Sequence, residues 1–179
     1  MSNRSMLDDT RGFSPENLWW LSCWLRSRGF YRAAKAIKLV NSVLHHSSLG
    51  SGAVVKKRLY LGHHGLGVVT HDNVVIGDDV IIWHNVTLAV RAPAGSDCKI
   101  VVENGVEIGA NAVVIPGEGK SLRIGANSKI GAGTVVTHDI PPATTVVGAY
   151  VRMLPHASHH IRSSGVKPSK HIPREDTAS

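Results

Sequence analysis

The chain has 179 residues, of which 42% are hydrophobic, and it carries a formal net charge of +7 with a pI of about 9.7. This length suits one domain with short appended segments, and the hydrophobic content excludes a wholly disordered chain. The positive charge predicts an attraction to anions. The two phenylalanines and three tyrosines are not interleaved with a basic run, so we expect no nucleic-acid partner bound by stacking.

The N-terminal part of the chain predicts two helices. Residues 14 to about 27 open with Ser-Pro-Glu, an N-cap followed by a first-turn proline and a first-turn acid. A second helix should run from residue 31 to about 44, with four apolar residues on one face: Ala33, Ile37, Val40 and Leu44. The first helix has a large apolar surface that favours packing onto another domain or subunit, formed by Trp19, Trp20 and Trp24.

The chain shows no pattern for export or membrane insertion. Its longest apolar run, residues 18–25, is much too short to span a bilayer, and acidic residues precede it. Cys23 and Cys98 are too few and too far apart for a disulfide framework or a Cys-rich zinc site. We therefore expect a cytoplasmic protein with two reduced thiols and no integral membrane segment.

Beyond residue 60, apolar residues recur with a period of six. Such a hexad repeat is typical of a parallel β-helix, in which apolar positions stack into a core while Gly, Asn and Asp take the corners. We predict a helical segment over residues 1–48, a β-helix over residues 49–154 and a disordered, polar, His-rich tail over residues 155–179. The repeating apolar positions are Ile76, Ile82, Val102, Ile108, Ile124, Ile130 and Val136.

The repeat is interrupted twice. The interval from Leu88 to Val102 is 14 residues where 12 are expected, and that from Val114 to Ile124 is 10 where 6 are expected. These breaks predict loops that leave the coil over residues 89–98 and 116–122. Long loops on a regular scaffold commonly carry function.

The segment "YLGHHGLGVV" at residues 60–69 places two histidines between glycines. His64 lies twelve residues before Ile76, so the repeat predicts an aliphatic core residue at its position. A structural histidine is one interpretation. The flanking glycines leave backbone room for a ligand, which favours a functional histidine.

Four segments of the chain resemble the serine acetyltransferase family of left-handed β-helix, hexapeptide-repeat acyltransferases, and especially its short members linked to acetylation of polysaccharide or surface sugars. The similarity covers roughly residues 30 to 154. It implies a homotrimer with active sites between subunits, and it is compatible with a dimer of trimers. The segments are "LGHHGLGVVTHDNVVIGDDVIIWHNVTL", "NGVEIGANAVVI", "SKIGAGTVV" and "DIPPATTVVGAYVRML".

The resemblance implies that His64 is the catalytic base of an acetyl-CoA-dependent O-acetyltransferase. A neutral imidazole can take the proton of an acceptor hydroxyl as it attacks the thioester carbonyl. Backbone N–H groups of the glycine-rich turn would stabilise the oxyanion. An acyl-carrying role for Cys98 is disfavoured because no base stands beside it in the sequence.

The resemblance also implies a binding site for acetyl-CoA. Small residues in two hexads match those over which the family lays the pantetheine arm, where they permit close backbone approach. Lys129 matches a lysine at the phosphate end of the cofactor, and Arg152 would add positive charge. We expect no metal. The matching small residues are Gly109, Ala110, Gly131 and Ala132.

Several positions depart from the family pattern. His63 stands where the family has an acid for the ammonium group of serine, and Cys98 and Lys99 stand where it has an Arg-His pair for the carboxylate. Lys99 could still meet a carboxylate as a point charge. These departures favour a sugar-like or other small hydroxyl acceptor, with serine as the alternative.

The residue that orients His64 is left open by the sequence. Leu49 stands at the family's carboxylate position, which leaves Asp72 and Asp97 as candidates. His84, twenty residues past His64, either lines the same cleft or is an exposed corner residue. We predict that the acceptor is contacted by His63, His84, Asp97 and Lys99.

Two alternatives of another class also remain. A γ-type carbonic anhydrase shares the fold and binds zinc through three histidines, but it needs a pair five residues apart. Such a pair is absent among His63, His64, His71 and His84. A non-catalytic β-helix scaffold is the other alternative.

Overall fold

The computed structural model of the chain describes residues 13–148. Two helices, α1 (Pro15–Ser27) and α2 (Tyr31–His45), precede a series of short strands. The strands are β1 (Val54–Val55), β2 (Leu59–Leu61), β3 (Val69–Thr70), β4 (Val74–Ile76), β5 (Val80–Ile82), β6 (Thr87–Leu88), β7 (Ile100–Val102), β8 (Glu107–Ile108), β9 (Val113–Val114), β10 (Leu122–Ile124), β11 (Lys129–Ile130), β12 (Val135–Val136) and β13 (Thr145–Val146).

The strands form three parallel sheets, which we call faces. Face 1 contains β1, β4, β7 and β10, face 2 contains β2, β5, β8, β11 and β13, and face 3 contains β3, β6, β9 and β12. The chain visits the faces in turn, so each pass over all three is one coil. The prediction of a parallel β-helix with an N-terminal helical segment is confirmed. The domain boundaries stay predictions, and the tail over residues 155–179 lies outside the described residues.

The hexad positions form the core. Ile76 pairs with Val102, which pairs with Ile124, and Ile82 pairs with Ile108. All five side chains are buried. Because every coil places its aliphatic residue over the one below, the column excludes water along its length.

The two loops predicted from the breaks in the repeat are confirmed. One joins β6 to β7 over residues 89–99, and the other joins β9 to β10 over residues 115–121. The amide of Asn73 holds the first loop, because its Nδ2 donates to the carbonyl of Cys98 at 3.0 Å and its Oδ1 accepts from Gly95 N at 2.7 Å. The two loops meet where Gly119 N donates to Arg91 O.

Helix α1 seals the first coil. Ser14 caps the helix by accepting from Asn17 N, as predicted. Trp19 is fully buried in the core and its Nε1 donates to Gly50 O at 2.8 Å, while Glu16 Oε1 accepts from Leu61 N at 2.7 Å. Part of the apolar surface that was predicted to pack on another domain or subunit is therefore buried against the first coil of the same chain.

Helix α2 turns its apolar residues outward. Its buried residues are Ala34 and Asn41, and Asn41 Nδ2 donates to Pro15 O on α1. The face predicted from the apolar spacing exists, but Val40 and Leu44 are exposed. Among the described residues, no helix has both the length and the hydropathy that crossing a bilayer requires.

Replacing Trp19 by Ala should destabilise the protein by about 3–5 kcal/mol, because it leaves a large cavity at the end of the core and removes the hydrogen bond to Gly50. Trp24→Ala on the same helix is the matched control, since Trp24 is 40% exposed. It should cost about 1 kcal/mol or less. Urea unfolding of both variants checks this, and equal losses would contradict the buried role of Trp19.

The Cys23 thiol should be unreactive in the folded protein. Burial raises its pKa from 9.0 to about 12. Because the thiolate is the reactive form, the thiolate fraction at pH 8 should be about 1,000-fold below that of a thiol with the unshifted pKa. Alkylation by iodoacetamide at pH 8, followed by mass spectrometry with and without urea, checks this. Rapid labelling of Cys23 without urea would contradict the prediction.

Candidate functional site

The His63–His64 turn is an insertion between face 2 and face 3. Leu59 pairs with Val80 and Val69 pairs with Thr87. The step from face 2 to face 3 therefore takes ten residues in the first coil, from Leu59 to Val69. The equivalent step in the second coil, from Val80 to Thr87, takes seven. Counting hexads back from Ile76 ignores these three extra residues. The prediction that His64 occupies a core position was wrong, because both histidines are exposed in the single chain.

The backbone of this turn is strained. His63 (φ 53°) and His64 (φ 56°) are both left-handed, and Gly65 and Gly67 also have positive φ. A non-glycine residue in this region costs on the order of 1–3 kcal/mol, and such residues cluster at functional sites. Hydrogen bonds on both sides hold the turn, from Gly67 N to His46 O at 3.0 Å and from Asn85 N to Leu66 O at 2.8 Å.

Four histidine rings gather around the turn. The rings of His64 and His45 stack with centroids 6.4 Å apart, and His45 Nε2 lies 3.0 Å from Phe13 O. The rings of His63 and His84 meet edge to face at 4.8 Å. Within the described part of the chain, the buried Nδ1 of His84 has no hydrogen-bond partner. His84 therefore lies beside the turn and keeps a free ring nitrogen.

A line of polar contacts runs from the turn along face 2. The ring of Trp83 lies 5.8 Å from that of His63, and its Nε1 donates to Glu107 Oε1 at 3.2 Å. The other carboxylate oxygen of Glu107 lies 3.2 Å from Lys129 Nζ. Trp83 and Glu107 were not predicted from the sequence. The signal for Trp83 was a large aromatic residue directly after a core strand, where most coils have a small or polar residue.

The predicted cofactor residues lie on the same edge as the histidine turn. Gly109 and Ala110 follow β8, and Gly131 and Ala132 follow β11, at the turns that join face 2 to face 3. With Glu107, Lys129, Ile130 and Thr145, three of them line a shallow depression of about 340 Å³: Gly109, Gly131 and Ala132. A Cβ on Gly109 would lie 2.6 Å from Ala132 N, so glycine is required for the coils to stack.

Other predicted residues lie elsewhere. Asp97 and Lys99 belong to the loop between face 3 and face 1, and Lys99 N donates to Ser121 Oγ. Asp72 accepts from Gly52 N at 3.2 Å and pairs with Arg26 at 3.0 Å, so it does not orient His64. Within one chain the structure therefore does not bring these three residues to the histidine turn. Arg152 lies outside the described residues.

The zinc-enzyme alternative requires three histidines around one metal ion. Across residues 13–148, no three His, Cys, Asp or Glu side chains gather in a way that would hold a metal ion. The four histidines around the turn meet as two ring pairs.

The fold and the glycine-rich edge define a hexapeptide-repeat β-helix, and comparison with known proteins specifies the family. A serine acetyltransferase of Helicobacter pylori is 32% identical over 130 residues, which are 73% of each chain. That of Mycobacterium tuberculosis is 36% identical over 128 residues, 72% of this chain and 54% of the relative. The chain thus belongs to the serine acetyltransferase family, although it spans about half the length of the Mycobacterium relative. No family model matches it.

Solved structures agree with this assignment. The serine acetyltransferase of Brucella abortus in complex with coenzyme A superposes with a TM-score of 0.66 at 29% identity, covering 76% of this chain and 52% of that one. The Neisseria gonorrhoeae enzyme in complex with serine superposes with a TM-score of 0.62 at 33% identity, covering 74% and 52%. The particular likeness to the short sugar-acetylating members stays a prediction.

Replacing Gly62 by Ala should disturb the histidine turn, because the new Cβ would lie 2.5 Å from Trp83 Cε3. We expect a loss of stability of about 1–3 kcal/mol and a changed near-UV circular dichroism signal from Trp83. Gly117→Ala is the control, since its nearest contact would be 3.4 Å from the flexible Lys120 side chain. Indistinguishable spectra and midpoints for the two variants would argue against tight packing beneath the turn.

Proposed function

We propose that the protein is an O-acetyltransferase that uses acetyl-CoA and acts through His64. One observation carries the proposal. The strained turn presents His64 on the same edge as the glycine-rich turns of the later coils, and Lys129 lies at the far end of that line. A base and a surface that admits close backbone approach are the two parts that such a transfer requires. Among residues 13–148, two consecutive non-glycine residues with positive φ occur at this turn alone, and the scaffold alternative gives no reason for that conformational cost.

The proposed reaction is direct transfer without an acyl-enzyme. The neutral imidazole of His64 takes the proton of the acceptor hydroxyl while the hydroxyl oxygen attacks the thioester carbonyl. The new C–O bond produces a tetrahedral oxyanion, which backbone N–H groups of the turn would stabilise. The oxyanion collapses as the C–S bond breaks. The CoA thiolate then takes the proton from His64, so that an ester and free CoA leave and the imidazole is neutral again.

The acetyl-CoA site is supported by a relative. The Brucella abortus enzyme has been solved in complex with coenzyme A, and its fold matches this chain. We propose that the pantetheine arm lies along Gly109, Ala110, Gly131 and Ala132. Lys129 would exchange its contact with Glu107 for a cofactor phosphate, which carries more charge and accepts stronger hydrogen bonds. Arg152 stays a predicted contributor.

Serine is the acceptor that the comparisons favour over the sugar-like acceptor expected from the sequence. The relatives are serine acetyltransferases, and the Neisseria gonorrhoeae enzyme has been solved in complex with serine. We therefore propose serine. The replacements at His63, Cys98 and Lys99 keep a small sugar-like hydroxyl as the second candidate, because two of these residues lack the charge expected for a zwitterionic amino acid.

The site requires a neighbouring copy in this proposal. The His64 turn lies between faces 2 and 3, whereas Asp97 and Lys99 lie between faces 3 and 1. In a homotrimer, the loop of one copy would close the site of the next and bring Lys99 to the acceptor carboxylate. A dimer of trimers and the cytoplasmic location also stay predictions.

Thiol release from acetyl-CoA tests the reaction. We expect purified protein to release CoA in the presence of serine, and His64→Ala to reduce the rate by about 10²–10⁴-fold because it removes the general base. Lys56→Ala is the control, since Lys56 is exposed on the edge between faces 1 and 2, away from both edges of the proposed site. The acceptor panel includes serine, nucleotide sugars and oligosaccharides. Release of CoA with a sugar and none with serine would show that the acceptor is a sugar, and the proposed acetyl transfer would stand.

Binding of CoA separates a wrong acceptor from a wrong activity. Isothermal titration of CoA to the wild type and to Lys129→Gln should show weaker binding in the variant. No binding of CoA to the wild type, together with no release of thiol for any acceptor, would reject the acetyltransferase and leave the scaffold alternative.

A further inference from the structure

The N-terminal end of the molecule carries an unusual distribution of charge. From residue 17 to residue 71 the sequence contains eight Lys and Arg residues and no Asp or Glu. The adjoining carboxylates are engaged, because Glu16 accepts from Leu61 N and Asp72 pairs with Arg26. This end of the protein is therefore strongly basic, and none of that charge contributes to the proposed acetyl transfer.

Helix α2 lies in this basic region and exposes an apolar surface. Its inward side is formed by Ala34 and Asn41, a small residue and a polar one. Its outward side carries four exposed aliphatic residues within two turns: Leu39 (64% exposed), Val40, Val43 (65% exposed) and Leu44. Three cations of the same helix flank this side: Arg32, Lys35 and Lys38. A helix with basic and apolar sides, both exposed, is the form that lies in the interface of a membrane.

A cavity of about 900 Å³ borders the basic flank of α2. Its lining includes all three of these cations together with Arg26, and Asp72 is the carboxylate among its lining residues. Since Asp72 pairs with Arg26, the charges of Arg32, Lys35 and Lys38 are left without a counter-ion there. Tyr31 and Leu39 contribute apolar walls. A ligand that carries both a negative charge and an apolar part would complement this lining.

We propose that α2 docks the protein onto an anionic lipid surface, with the outward aliphatic residues in the interface and a lipid phosphate in the cavity. A second copy of the chain is the other occupant that an exposed apolar face suggests. Charge argues against it, because two α2 helices in contact would bring Arg32, Lys35 and Lys38 of one copy against those of the other with no carboxylate on either helix, and like charges across an interface are strongly unfavourable. Anionic headgroups complement them instead.

The position of α2 suits this role. Its partner α1 packs on β1 and β2 of the first coil, so the helical pair lies at one end of the solenoid. In a trimer whose solenoids run side by side, three such helices would face the same plane. Weak contacts of each helix would then add as a multivalent attachment.

Co-sedimentation with lipid vesicles tests the proposal. Vesicles of phosphatidylcholine alone are compared with vesicles that also contain phosphatidylglycerol, using the full-length protein without acetyl-CoA. We expect binding to the anionic vesicles only, and weaker binding between 0.1 M and 1 M salt, as the Debye length falls from about 10 Å to about 3 Å.

Two double variants separate the charge from the apolar contact. Lys35→Gln/Lys38→Gln should weaken binding by about 25-fold, or about fivefold for each lysine. Leu39→Ser/Val43→Ser should abolish it at unchanged net charge. Arg91→Gln/Lys120→Gln is the matched control for charge, because both residues are exposed on the solenoid loops, and it should bind as the wild type does. Circular dichroism verifies that each variant is folded.

Two results would overturn the proposal. One is binding to the anionic vesicles that does not exceed binding to neutral ones. The other is a fall in the mass measured by light scattering for Leu39→Ser/Val43→Ser, which would show that a second copy covers α2. Neither result bears on the acetyltransferase, because the assays share no substrate and no variant.

Discussion

The stacking of each coil directly on the next is the constraint on which the rest of the structure depends. Adjacent strands of a face lie about 4.8 Å apart, so every position in a coil must fit over its equivalent below. Inside the solenoid, this requirement produces columns of buried aliphatic residues such as Ile76, Val102 and Ile124. At the corners it excludes side chains, as the 2.6 Å approach between a Cβ on Gly109 and Ala132 N shows. Extra residues therefore fit only as outward turns or loops at an edge, and the described insertions lie there.

The histidine turn illustrates how such an edge supports chemistry. Its three inserted residues do not disturb the register, since β2 and β3 still pair with β5 and β6. The turn is strained because it must leave the coil and return within a few residues. The carbonyl of His46 at the end of α2 and the backbone N–H of Asn85 in the next coil stabilise it. The same rigid stacking places the small residues of later coils on the same edge. A mobile loop would have to pay an ordering entropy that this arrangement avoids.

Much of the fold followed from the sequence because its cause is local and repeated. The hexad period predicted the core residues, the interruptions predicted both loops, and the cap at Ser14 predicted the start of α1. The candidate site was harder to predict from the sequence. The hexad repeat does not show an insertion that lies before its first regular coil. Counting back from Ile76 therefore placed His64 in the core. Long-range contacts left no pattern in the sequence either, and the line from Trp83 through Glu107 to Lys129 became visible only in the structure. The outward orientation of α2 was missed for a similar reason, because spacing shows that a helix is amphipathic but not which side its neighbours cover.

The separation of the two edges links the choice of acceptor to assembly. Backbone hydrogen bonds with His46 and Asn85 fix the His64 turn within one chain. Lys99 belongs to a loop on another edge, held by Asn73 and Ser121, and its distance from any His64 depends on how two chains meet. In the proposed reaction, the contact of Lys99 with the acceptor can therefore change without disturbing the fold of either chain. This difference gives a physical reason for the predicted departures from the family pattern at Cys98 and Lys99, whereas the departure at His63 lies on the same turn as His64 and is not explained by it. In the proposed reaction, His64 and the glycine-rich edge would come from one chain, and the contact of Lys99 with the acceptor would depend on how two chains meet.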